Sequence, residues 1–209
     1  MTIVHRDEHL VIVDKPAGVL VVPAPSRSGP TVGDLLGTQL GQAVHAVHRL
    51  DEDTTGALAF ALTQPAKAAM EALFREHVIV REYMALLASA PSPAAGRVDS
   101  LLREDDDGIT RVVRSGGVRA VTGYETLERR GRCTLVRCRL ETGRRNQIRA
   151  HMAALGCPVA GDRKYGFRAR PGERFRRVML HSWHMRFRHP ITGTDVDVTV
   201  EPSEPELRP

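Results

Sequence analysis

Short apolar, β-branched runs recur along almost the whole of this 209-residue chain, each closed by a cluster of turn residues, and only two stretches carry a convincing helical period. Leu10–Val13 and Val19–Val22 read as strands flanking the turn Lys15-Pro16-Ala17-Gly18. Residues 57–62, 78–89, 118–128, 133–141, 178–188 and 195–200 read the same way. Glu104–Gly108 is an acidic turn between strands. A helix starts near Pro65, a residue suited to a first helical turn. Its Ala66, Ala69, Met70, Leu73 and Phe74 fall on one face. A second helix is expected over 145–155, with Ile148, Met152 and Leu155 inward and Gly156 and Pro158 as stop signals. Residues 31–40 suit a short helix after Pro30. Strands that outnumber helices in this way predict an α+β fold with a mixed, mainly antiparallel sheet. Residues 91–96 are the only candidate linker, too short to separate independent domains, so one domain over 1–209 is expected.

At 42% hydrophobic and 26% charged residues, the composition excludes a wholly disordered chain. Only 4% of residues are aromatic, so the core must rest on Val, Leu, Ile, Ala and Met. A chain of this length buries about 70% of its unfolded surface and needs no staple. Cys133, Cys138 and Cys157 lack the spacing of a disulfide framework or a zinc site, and read as small buried residues in a reducing compartment. No apolar run approaches the ~18 residues needed to span a bilayer. The first residues carry Arg6, Asp7 and Glu8 instead of an apolar signal core. A cytoplasmic protein with no membrane partner is expected.

Charge is strongly segregated. Residues 1–128 hold 12 basic and 17 acidic residues, a net of −5, and residues 191–209 a net of −4. Between them, residues 129–190 hold 17 basic and 3 acidic residues, a net of +14. Such a stretch attracts a polyanion. Lys occurs only at 15, 67 and 164, and the abundant Arg brings a planar fork that binds phosphate oxygens in pairs. Nucleic acid is favoured over a merely solvated basic face, and over a membrane, which would want a long amphipathic helix with bulky anchors.

Four segments carry chemistry-bearing side chains. In His48–Gly56, Arg49 and Asp51 share a face if the segment is extended, although three acids before Thr-Thr-Gly also read as a polar turn. In Arg81–Ala85, Tyr83 is either core or an aromatic platform. In 140–166, Arg144 and Arg145 lead into a helix whose N-terminus suits anions, and Arg145 and Arg149 share a face at i, i+4. In 179–190, His181 and His184 have metal-like spacing, as do His45 and His48, but neither pair has a third partner in sequence, so no metal is expected. There is no P-loop or GxGxxG fingerprint.

Taken in order, Asp14-Lys15-Pro16-Ala17-Gly18, HRLDEDTTG (48–56), REYMA (81–85), TGRRNQIRAHMAALGCPVAGDRKYG (142–166) and MLHSWHMRFRHPITG (179–193) resemble the RluA-type RNA pseudouridine synthases. The motifs span about residues 10–193, nearly the whole chain, and are highly specific in this order. Three positions depart from the usual pattern: Thr55 for Ser, Arg81 for Lys and Asn146 for His. The resemblance implies a pseudouridine synthase catalytic-domain fold with a central cleft and no additional N-terminal RNA-binding domain. It also implies isomerisation of uridine in structured RNA, tRNA or ribosomal RNA, with base flipping and without a cofactor.

By the same resemblance Asp51 is the catalytic aspartate. Attack on the ribose, attack on the base and removal of a ribose proton all remain open as its role. Arg149 would be its cationic partner, and Tyr83 would pack against the base and assist the last proton removal. Arg49 would fill the gap left in the RNA stack and Leu180 would line the pocket, with Arg144 and Arg145 on the substrate. A monomer is expected, since one RNA-sized face suffices. Two rival readings are a non-catalytic RNA-binding protein on the same scaffold and a metal-dependent hydrolase using the histidines.

Overall fold

In chain order, a computed structural model describing residues 1–24 and 28–209 carries β1 (Thr2–Arg6), β2 (Leu10–Lys15), α1 (Val32–Leu40), β3 (His45–Ala46), β4 (Thr55–Ala61) and α2 (Gln64–Arg75). There follow β5 (Val80–Leu87), β6 (Ala95–Glu104), β7 (Thr110–Val113), β8 (Val118–Arg130) and β9 (Cys133–Leu140), then α3 (Gln147–Ala154), β10 (Leu180–Arg188) and β11 (Asp195–Thr199). Short 3-10 turns lie at Arg163–Tyr165 and Pro205–Leu207. The expected α+β class, strand-rich and mainly antiparallel, is what the chain forms. It divides into two units: Met1–Arg81 with Ser182–Glu201, and Glu82–His181 with Pro202–Pro209.

In the first unit the strand order is β1-β2-β4-β10, with β3 on β4 and β11 on β10. Leu10, Val11, Ile12 and Val13 are all fully buried, so β2 is covered on both faces and reads as a continuous apolar run instead of an alternating one. α2 lies on this layer through Ala66 and Met70, with Leu73 and Phe74 partly buried against the core cluster that contains Ile12, Ala59 and Met185. The Thr63 hydroxyl accepts from the Ala66 amide and caps the helix, and Pro65 sits in its first turn. Gly56 has φ 102°, and a Cβ there would lie 2.2 Å from the Ser182 carbonyl oxygen, so only glycine lets the two backbones meet.

One expectation fails in this unit and one strand was not foreseen. Val19–Val22 is not a strand, because β1 and β4 already occupy the two edges of β2. The Leu20 carbonyl instead accepts from the Val32 amide (2.8 Å) at the head of α1. β1, unannounced by its polar Thr-Ile-Val-His-Arg sequence, is an antiparallel neighbour of β2 whose residues alternate between exposed and half-buried.

In the second unit the order is β5-β9-β8-β6-β7. Tyr83 faces Cys138 across the antiparallel β5–β9 pair. Ala150 and Ala153 of α3 pack with Leu102, Ala120, Ile109 and Tyr165. Ile148 and Met152 are buried as the helical period requires, but Leu155 is 38% exposed. It is the C-cap, one residue beyond the helix, and so leaves the buried face. All three cysteines are buried thiols, and burial pushes Cys138 up to about 12.

Candidate active site

In the first unit, residues 48–56 form a turn fastened at both ends. His48 Nε2 accepts from the Ala59 amide (3.0 Å), and the ring stacks on Phe74 at 4.6 Å. The Arg81 guanidinium lies 5.6 Å from the same Phe74 ring. Burial, helped by the Arg81 charge, holds His48 down at about 3. The imidazole is therefore neutral, with its proton on Nδ1. Leu50 is buried at 5% exposure between an exposed Arg49 and a half-buried Asp51, the alternation an extended segment gives. The chain then turns, with the Thr54 amide donating to the Asp51 carbonyl (3.1 Å). The turn reading of this segment holds over Asp51–Thr54.

Beneath the turn lies Lys15, wholly buried at the end of β2. Its Nζ donates to the carbonyls of Pro16 (2.9 Å), Glu52 (2.7 Å) and Thr54 (3.0 Å). The Glu52 carbonyl also accepts from the Gly18 amide (2.9 Å). A buried ammonium is costly unless its donors are used. Here three charge-assisted bonds tie the Asp-Lys-Pro-Ala-Gly segment to the backbone that carries Asp51. Sequence reasoning gave Lys15 no role. Its signal was a lone lysine, after Asp14, ending an apolar strand in a chain otherwise rich in arginine.

In the second unit, α3 is locked down by the two polar residues that flank Arg149. Gln147 is buried and fully used: its Oε1 accepts from Thr142 Oγ1 (2.8 Å) and the Arg144 amide (2.9 Å). Its Nε2 donates to the Val121 carbonyl and to Thr122 Oγ1, both at 2.9 Å. Thr122 Oγ1 also hydrogen-bonds His151 Nδ1 (2.9 Å), whose Nε2 in turn hydrogen-bonds Ser100 Oγ (3.1 Å). Burial holds His151 at about 4, neutral. Gln147 and His151, at i and i+4, bolt the helix to β8 and β6.

Arg149, between them, points elsewhere. Its Nε and Nη2 reach Asp162 Oδ2 (2.6 Å) and Oδ1 (2.9 Å), and Nη1 donates to Asn146 Oδ1 (2.9 Å). Its guanidinium lies 4.8 Å from the Tyr165 ring centroid. Asp162 is buried and caps the Arg163–Tyr165 turn through the Tyr165 amide. The fork is thus oriented by a bidentate carboxylate that sequence reasoning did not single out. Asn146 stands at φ 52°, a left-handed position that Asn tolerates better than most side chains, so it both shapes the helix start and holds the guanidinium.

Among the remaining predicted site residues of this unit, Tyr83 (6%) and Leu180 (3%) are buried. Arg144 and Arg145 are exposed at the head of α3. Arg144 Nε donates to the Arg119 carbonyl (3.2 Å), and Arg145 pairs with Glu104. Arg49 and Asp51 belong to the first unit. Of the histidines with metal-like spacing, His48 is taken up by Ala59 and His184 Nε2 by Asp197 (2.8 Å). No helix among the described residues is long and apolar enough to cross a membrane.

Residues 9–154 match the family model described as RNA pseudouridylate synthase. The chain is 38% identical to the ribosomal large subunit pseudouridine synthase D of Zymomonas mobilis, covering 96% of this chain and 69% of that protein. It is 35% identical to the protein of the same name from Haemophilus ducreyi, over 92% of this chain and 64% of that one. The chain thus spans about two thirds of the length of these relatives. Among solved structures, human RNA pseudouridylate synthase domain containing 1 superposes with a TM-score of 0.80 at 27% identity, over 96% of this chain and 83% of that one.

Proposed function

Since the chain belongs to the RNA pseudouridylate synthase family, a family of isomerases, we propose that it converts uridine in structured RNA into pseudouridine with Asp51 as its catalytic carboxylate. The observation that carries this reading is the Asp51 turn: a half-buried acid on a backbone immobilised by a buried ammonium. A group that must act at one atom of a substrate needs a fixed backbone more than it needs a strong charge.

The reaction breaks the bond between the ribose and nitrogen 1, turns the base, and joins the ribose to carbon 5. Carbon 5 then gives up its proton and nitrogen 1 gains one, so atoms and electrons balance without a redox or phosphoryl step. The reaction calls for no cofactor and no metal. Asp51 attacks the ribose, attacks the base or removes a ribose proton. Each route needs an ionised carboxylate held against a cation. In this proposal the cation is Arg149, with its fork oriented by Asp162 and Asn146. Tyr83 packs on the base and assists the final proton removal, and Leu180 lines the pocket. Extruding a stacked uridine costs a few kcal/mol. Arg49 offsets part of that by entering the vacated stack, and Arg144 and Arg145 by contacting the backbone.

The substrate in this reading is ribosomal RNA or tRNA. The chain works as a single catalytic domain over 1–209, a monomer in the cytoplasm. The test is pseudouridine formation on ribosomal RNA transcripts and on tRNA by wild type and Asp51→Asn. Loss of at least about a thousandfold in kcat is expected, the scale of removing an essential catalytic group. Equal product from both proteins would overturn the assignment. RNA binding without product on any RNA would favour the non-catalytic alternative.

A further inference from the structure

The basic residues of 129–190 do not share one environment. In the second unit Arg130, Arg132, Arg137, Arg145, Arg149 and Arg177 each face a carboxylate, from Glu128, Glu173, Glu125, Glu104, Asp162 and Glu204 respectively. Each pair offsets the charge of its arginine, those of Arg145 and Arg149 at the head of α3. Residues 163–176 differ. Arg163, Lys164, Arg168, Arg170, Arg174 and Arg176 are all exposed. Among the described residues none of these six forms an ion pair, and the one acid of the segment, Glu173, is taken by Arg132.

This segment is a built loop. Its ends meet where the Met179 amide donates to the Ala160 carbonyl (2.9 Å). Gly161, at φ 82°, lets the Arg177 carbonyl come within 2.0 Å of where a Cβ would stand, so glycine is required for the closure. Inside, Phe167 is buried, stands edge-on to Phe175 (5.5 Å) and lies under the Arg132 guanidinium (5.4 Å). The tip is a turn, Arg170-Pro171-Gly172-Glu173, closed by the Glu173 amide on the Arg170 carbonyl (3.0 Å), with Gly172 at φ 87°. Glu173 also accepts from the Arg170 amide (2.9 Å) and is held at about 2 by Arg132. A compact loop of this kind, packed by its own side chains, holds its backbone in place before binding, so only the exposed side chains are left for a partner to order.

We propose that loop 163–176 docks the phosphate backbone of the RNA outside the reacting nucleotide. The inference rests on the proposed RNA substrate and adds to it a contact surface separate from Asp51, Tyr83 and Arg149. Exposed arginines that form no ion pair within the protein gain most from a polyanion. An anionic membrane is the weaker partner, because the aromatic rings of the loop turn into its interior instead of standing free as anchors.

The test substitutes Arg168, Arg170, Arg174 and Arg176 together by Gln, and in a second variant by Lys. Binding to a large-subunit ribosomal RNA transcript is followed by anisotropy across a KCl series. The Gln variant should lose roughly 0.7–0.9 in the slope of log Kd against log salt for each contact removed. It should raise KM about tenfold or more while kcat at saturating RNA stays within about twofold. The Lys variant should keep slope and KM. A Gln variant with wild-type slope and KM overturns the proposal, as does loss of kcat with an unchanged slope or preferential binding to phosphatidylserine vesicles. If the fourfold variant fails to fold by circular dichroism, Arg174→Gln with Arg176→Gln carries the test at about half the slope change. Wild type that binds RNA but forms no pseudouridine sinks the functional reading, and the slope still decides the loop.

Discussion

Replacing Lys15 with Met keeps the length and apolar stem of the side chain and deletes only the ammonium. The Glu52 carbonyl would keep the Gly18 amide, whereas the Pro16 and Thr54 carbonyls would lose this donor. A buried polar group stripped of its partner costs about 1–3 kcal/mol. Two of them give about 2–6 kcal/mol, and relief from burying the ammonium offsets part of that. A net loss of about 3 kcal/mol is expected, a large share of the 5–15 kcal/mol typical of a folded domain. With a urea slope of about 2 kcal/mol per M, the midpoint should drop by about 1.5 M. Trp183 is the sole tryptophan and lies in the same unit, so its fluorescence reports the transition directly. Pseudouridine formation should fall in kcat with little change in KM, because the turn under Asp51 is loosened while the arginines proposed to contact RNA are intact. A variant within about 0.5 kcal/mol of wild type, at full kcat, would refute the view that this ammonium holds the turn.

Two further outcomes follow from the same geometry. Asp162→Asn leaves the Arg149 guanidinium without its bidentate anion and should destabilise the chain by about 3 kcal/mol while lowering kcat at least about tenfold; unfolding and turnover at wild-type levels would show that Asp162 does not orient the fork. His48 and His151 are held neutral at about 3 and about 4, below the usual value near 6.5. The unfolded chain therefore takes up protons first as pH falls, and stability present above about pH 6.5 is lost progressively down toward pH 4. Two such groups give a slope of roughly 2–3 kcal/mol per pH unit, and His151→Gln should remove about half of it in urea titrations between pH 6 and 4.

Much of this was readable from residue order, and what was not has a common cause. The helical period of α2, the apolar runs of β2, β5 and β9 and the strand segment of β10 are local signals, and they appear where they were expected. Val19–Val22 carries the same local signal and fails, because strand formation needs a free edge and β2 had none left. β1 is the converse: a polar run is recruited by an available edge. At the site, the i, i+4 spacing of Arg145 and Arg149 predicts one helical face, but α3 begins only at Gln147, after Asn146 in a left-handed conformation, so Arg145 lies outside the helix. The two guanidinia diverge, one to Glu104 of β6 and one to Asp162 of the turn after α3. Lys15 and Gln147 were invisible for the same reason. Each has near partners, but the Glu52 and Thr54 carbonyls that fix Lys15 and the Val121 carbonyl and Thr122 hydroxyl that fix Gln147 lie tens of residues away, outside any local window.

The sealed thiols have a practical consequence. Cys133, Cys138 and Cys157 are all shut away from solvent, and Cys138 is raised to about 12 by that enclosure. Alkylating reagents and mild oxidants act on exposed thiolates, so the native fold offers them no foothold. A cysteine placed on the exposed tip of the arginine-bearing loop would then be the single attachment point for a dye or a photo-crosslinker, and no native cysteine would need to be removed first.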